Sequence, residues 1–238
     1  MSTATKQITV RRSEDRGNTE FHWLHGRHSF SFGRYYDPNN LGYRSLRVIN
    51  DDVVEPASGF GEHGHVNMEI LTWVLEGTLH HQDSTGSDGD LRPGELQAMT
   101  AGRGIRHSEV NDSPTERVHL LQIWIEPDTL NLEPAYGQKA FPKDGRRAKW
   151  QTLASPDARN ESMLIHQDAT LSVAELNGSE QIALQLAENR HAYVHLAYGA
   201  AQVGDTTLKS GDAITFSGPE NLTFTASEAS QLLYFDLA

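Results

Sequence analysis

The chain contains no cysteine. That absence excludes a disulfide framework, thiolate zinc sites, iron–sulfur clusters and cysteine nucleophiles. Any metal must therefore be held by nitrogen and oxygen donors. Positive charge is scarce as well: 20 Lys and Arg stand against 32 Asp and Glu, a formal net charge of −12. Binding to a phosphate backbone rests on clustered cations, and the longest basic cluster is only Arg146, Arg147 and Lys149. Direct nucleic-acid binding is argued against on both counts. No apolar run approaches the roughly 18 residues of a membrane span. Met1 to Arg12 carries no signal-type apolar run, so no membrane contact and a cytoplasmic location are expected. A Gly-x-Ser-x-Gly elbow is missing, and so is a phosphate loop: Gly102-x-Gly104 leads into a strand, not a helix.

What is present is histidine and strand-like periodicity. Nine of the 12 His lie in residues 1–119 and three in 120–238. Short apolar or alternating runs recur at Leu46–Val54, Met68–Leu75, Leu96–Met99 and Val118–Ile125. The second half repeats the style at Leu171–Leu176, Ile182–Leu186, Ala192–Tyr198, Ala213–Phe216 and Leu232–Leu237. Gly and Pro punctuate these runs and no segment shows a convincing helical stripe, so an all-β chain of sandwiches or barrels is predicted. Met68 to Gly77 reads like Arg190 to Gly199, and Leu91 to Met99 like Leu208 to Phe216. Two similar β-units follow: 1–126, a polar linker at 127–147, and 148–238.

Two segments carry chemistry. One is Gly61-Glu62-His63-Gly64-His65, followed by Glu69; the other is Gly102 to Glu109, which contains His107 and Glu109. Residues i and i+2 of a strand share a face, so His63 and His65 can stand side by side, as can His107 and Glu109. Three imidazoles and a carboxylate suit a borderline divalent metal such as Fe, Cu, Ni, Mn or Zn. Glu69 has the parity of His63 and His65, so parity alone leaves either carboxylate open as the fourth donor.

The sequence resembles the pirin-like proteins of the cupin superfamily, a group that includes bacterial quercetin 2,3-dioxygenases. The resemblance is carried by His28 to Phe32 with Tyr35 to Pro38, by Leu46 to Asp52, by Gly61 to Glu69 with Leu75 to Gly77 and His81 to Ser84, and by Ala101 to Glu109. Gln122 to Ile125, Ser155 to Asp157 and His166 to Asp168 extend it. It implies a bicupin, two tandem double-stranded β-helix (jelly-roll) domains, with one metal in the N-terminal domain. It places the ligands at His63, His65, His107 and Glu109, leaving Glu69 a supporting or structural residue. The metal expected first is iron. The implied reaction is ring opening of a flavonol such as quercetin by O2 with release of CO, Glu109 taking the substrate's 3-hydroxyl proton. The alternative is a non-enzymatic, metal-dependent regulator that binds a protein partner.

Aligning the halves on Gly77 and Gly199 puts Gln185 and Ala187 at the places of His63 and His65. Aligning Gly94 and Gly211 puts Phe224 and Ala226 opposite His107 and Glu109. The second domain therefore reads as a degenerate cupin without metal. Of the remaining candidates, His22, His25 and His28 suggest polar packing or pocket lining. His80, His81 and His119 suggest packing, and Trp73 and Trp124 suggest core. Phe30, Phe32, Tyr35 and Tyr36 could line an aromatic-binding cavity or pack in the core.

Overall fold

The computed structural model describes residues 8–238, so residues 1–7 of the expected first domain lie outside the described residues. The described residues form four antiparallel-dominated sheets, two of seven strands and two of four. Each half stacks one seven-stranded sheet on one four-stranded sheet, the layering of a jelly roll. In the N-terminal half the large sheet centres on Glu69–Glu76, Val118–Ile125 and Leu46–Val54. The small sheet there contains Ser58–His65, Ile105–Asn111, Leu79–Asp83 and Asp88–Leu91. The C-terminal half repeats that order strand for strand, with Gln181–Leu186 and Glu220–Ala226 in the places of Ser58–His65 and Ile105–Asn111. The all-β, two-cupin architecture is thus present.

The two seven-stranded sheets pack against each other across one shared core. Leu71, Trp73, Leu121, Ile123 and Ile125 from the first half meet Leu171, Val173, Tyr193, Leu233 and Phe235 from the second. Trp73 Nε1 donates across the seam to Gln231 Oε1 at 2.8 Å. Alternation then settles the opposite faces. Thr72, Gln122 and Asn50, each one residue out of phase with those core positions, look into the N-terminal sandwich.

Two strands cross the expected divisions. Ala135–Ala140, inside the stretch read as linker, pairs with Glu95–Thr100 and extends the N-terminal large sheet. The run is polar and glycine-containing, so it lacks an apolar period; its pairing is set by its neighbour. Thr9–Arg11 pairs with Ala213–Thr215 and caps the large sheet of the C-terminal half. The first strand among the described residues belongs structurally with the second cupin.

Strand register also amends the alignment of the halves. His107 faces His63 and Asp83, and Glu109 faces His81. At the corresponding places Phe224 faces Ile182 and Val203, and Ala226 faces Ala201. Phe224 and Ala226 stand where His107 and Glu109 do. The counterparts of His63 and His65 are Ile182 and Leu184, not Gln185 and Ala187. Aligning on the following glycine miscounts the connection, because the loops after the two strands differ in length.

Candidate metal centre and cavity

Ser58–His65 and Ile105–Asn111 are neighbours in the small sheet, and their pairing brings His63, His65 and His107 together. The ring centroids lie 4.9 Å (His63–His65), 4.4 Å (His63–His107) and 4.9 Å (His65–His107) apart. His65 Nε2 and His107 Nε2 face each other at 2.9 Å. His63 Nδ1 donates to the Gly61 carbonyl at 2.8 Å, which fixes the tautomer and frees Nε2 as a donor atom. Burial, with His63 adjacent, lowers His65 to a pKa of about 4. Burial together with its three neighbouring imidazoles lowers His107 to about 3. Both rings are therefore neutral near pH 7, the state that ligates metal. Convergent, unprotonated imidazole nitrogens fit a borderline divalent metal.

Glu109 is fully buried one i+2 step beyond His107. Gln122 Nε2 donates to its Oε2 at 2.7 Å, and the Thr72 hydroxyl lies 3.3 Å from its Oε1. Burial raises its pKa to about 7 against these hydrogen bonds. Its oxygen also groups with nitrogens of His107 and His81. His81 packs as expected, stacked on Tyr136 at 4.6 Å with Nε2 3.0 Å from Asp83, yet its Nδ1 is buried without a partner. Strand alternation over Leu79–Asp83 puts His81 inward and His80 outward, where His80 meets Asp90.

Glu69 is elsewhere. It begins a strand of the large sheet, after a turn at residues 66–68 in which Asn67 has φ +51°. That turn breaks the parity with His63 and His65. Its side chain accepts from the Thr100 hydroxyl at 3.0 Å and lies 3.5 Å from His166 of the second half. Glu69 belongs to the seam between the cupins.

Between the two N-terminal sheets lies a cavity of about 340 Å³. Phe21, Trp23, Phe32, Phe60 and Trp124 give it an aromatic wall; His63, His65 and Glu109 reach it from the small sheet. Trp124, expected in the core, instead lines this cavity and stands edge-on to His65 at 4.9 Å. Phe32 meets Trp124 at 5.4 Å, whereas Phe30 is in the core and Tyr36 is 73% exposed. His28 lines the cavity with both nitrogens engaged, by Asn50 and Thr19, each at 2.8 Å. His25 pairs with Glu20 and His22 is exposed, because a spacing of three on strand-like chain does not share one face. His119 bonds Asp51 at 2.6 Å.

The pirin family model matches residues 9–125, and that of the quercetinase C-terminal cupin domain matches residues 152–237. Quercetin 2,3-dioxygenase of Escherichia coli (strain K12) is 44% identical over 230 residues, covering 97% of this chain and 98% of that protein. The chain belongs to the pirin family. A pirin-like protein of Caulobacter vibrioides is 40% identical over 223 residues, covering 93% of the chain and 96% of that protein. A bacterial pirin of E. coli solved in complex with nickel(II) superposes with a TM-score of 0.91 at 42% identity, covering 97% and 99% of the two chains. Among the described residues no helix is long and apolar enough to cross a membrane.

Proposed function

We propose that His63, His65, His107 and Glu109 hold one divalent transition metal and that this pirin opens flavonols such as quercetin with O2. The observation that carries the reading is the convergence of neutral imidazole nitrogens at the wall of an aromatic-lined cavity. The family's dioxygenase names supply the reaction class. A bound metal would supply Lewis acidity toward the substrate's 3-hydroxyl and a route for electrons to O2. The chain's residues do the rest. Trp124, Phe32 and Phe60 offer a flat ring system apolar surface and exclude water from it. Glu109, held by Gln122 and Thr72, takes the 3-hydroxyl proton. In the overall reaction both oxygen atoms enter the opened ester product and one carbon leaves as CO. Iron is the metal we assign first; the nickel complex of the E. coli pirin supports nickel as the second assignment.

The test is an aerobic assay of metal-loaded protein with quercetin, followed by loss of flavonol absorbance. Turnover that depends on metal and falls in His63→Ala is expected. No metal-dependent turnover, with His63→Ala indistinguishable from wild type, overturns the enzyme reading. A stoichiometric protein partner captured without chelator and lost with it would then support the regulatory alternative.

A further inference from the structure

Asp52 stands in the cavity with nothing to bond. It lies on Leu46–Val54, in the large sheet, across the cavity from His63 and His65. It is 4% exposed and its Oδ1 has no hydrogen-bond partner. The other buried polar residues lining the cavity, His28, Asn50, Glu109 and Gln122, are all hydrogen-bonded. Room for Asp52 is kept by Gly26 on the adjoining strand: a Cβ there would come within 2.6 Å of Asp52 Oδ1. A buried carboxyl without a partner costs stability, typically more than a neutral group in the same place. Such a cost persists where a ligand supplies the missing partner.

We propose that Asp52 is a specificity residue, and that it accepts a hydrogen bond from a ring hydroxyl of the substrate other than the one presented to the metal centre. The inference deepens the flavonol reading and rests on it. It makes the favoured substrate a polyhydroxylated aromatic long enough to reach from the histidines to the opposite sheet. A flavonol with only the 3-hydroxyl would leave Asp52 unpaired, and so would bind less well.

The experiment is an anaerobic binding titration of the nickel-loaded protein, read by quenching of Trp23 and Trp124, both of which line the cavity. Quercetin is compared with 3-hydroxyflavone, which keeps the 3-hydroxyl and lacks the others. Wild type is expected to prefer quercetin by about tenfold or more, the worth of one buried hydrogen bond to a carboxyl. In Asp52→Leu and Asp52→Ala, which remove the acceptor, that ratio is expected to fall towards one. The ligand-free Asp52→Leu protein is expected to melt above wild type, since it loses an unpaired buried carboxyl; a purely structural residue would lower the melting temperature on removal. Should Asp52→Leu fail to fold, Asp52→Ala carries the test. Equal affinity of wild type for the two flavonols, or a preference that the variants lacking the carboxyl retain, overturns the role of Asp52 and leaves the flavonol reading standing. Binding of neither flavonol by wild type overturns both.

Discussion

The two cupins share a strand order and a register but not a filling. Where the first half sets His63, His65, His107, Glu109 and His81, the second sets Ile182, Leu184, Phe224, Ala226 and Ala201. All five replacements are buried in one apolar cluster. The second sandwich closes on itself as an ordinary core. The first keeps a cavity of about 340 Å³ and polar atoms with no protein partner, at His81 Nδ1, His107 Nδ1 and Asp52 Oδ1. The scaffold tolerates this because the apolar burial is placed elsewhere, in the seam between the large sheets and in the second half. Chemistry has been concentrated in one copy and cohesion in the other.

Substitutions at matched positions sharpen that contrast. The largest effect is expected for His107→Ala, which removes the donor central to both potential ligand groups. Metal content by elemental analysis should drop from about one per chain to a small fraction, and metal-dependent turnover should fall at least about 100-fold. Its counterpart, Phe224→Ala, should leave metal content unchanged but cost about 3–5 kcal/mol in chemical denaturation, because it opens a void in a sealed core.

A smaller effect tests the seam. His195 is fully buried with neither ring nitrogen bonded. Arg16, Asp51, His119 and Asp212 surround it, and burial, then Arg16, lowers its pKa to about 3. Its unfolded pKa is near 6.5, so below that pH the unfolded chain takes a proton that the folded one refuses. Stability from this residue is therefore intact above about pH 6.5 and lost as pH falls towards 3. Between pH 7 and 5, His195→Leu should gain about 2 kcal/mol relative to wild type, read from denaturation midpoints at each pH. The smallest effect is expected for Glu69→Gln. It should leave metal content untouched and change stability by about 1 kcal/mol, through its bonds to Thr100 and His166.

Much of this was legible in the sequence, and the limits have physical causes. The His63–His65 and His107–Glu109 pairs could be read because i and i+2 are related by local strand geometry alone. That the two pairs meet needs a long-range pairing, which spacing does not encode. Trp124 looked like core because an aromatic beside a cavity and one beside a neighbour have the same pattern. Gln122 and Thr72, which hold Glu109, lie on two different strands of the opposite sheet and leave no shared motif. Asp52 sits beside Asp51 in an acidic pair, and only the fold sends them apart: Asp51 to Arg16 and His119 in the seam, Asp52 to the cavity. Parity alone cannot separate Glu69 from Glu109, because it does not carry across the turn at residues 66–68.

The strand Thr9–Arg11 also governs how the molecule can be assembled. Its partner residues, Ala213 to Thr215, are made some two hundred residues later. At about 5–20 residues per second, this strand waits roughly 10–40 s before its seat exists. The first cupin thus emerges with this strand unpaired, and the clasp closes only once Ala213 to Thr215 have been made. A chain stopped before residue 213 leaves Thr9–Arg11 without its seat.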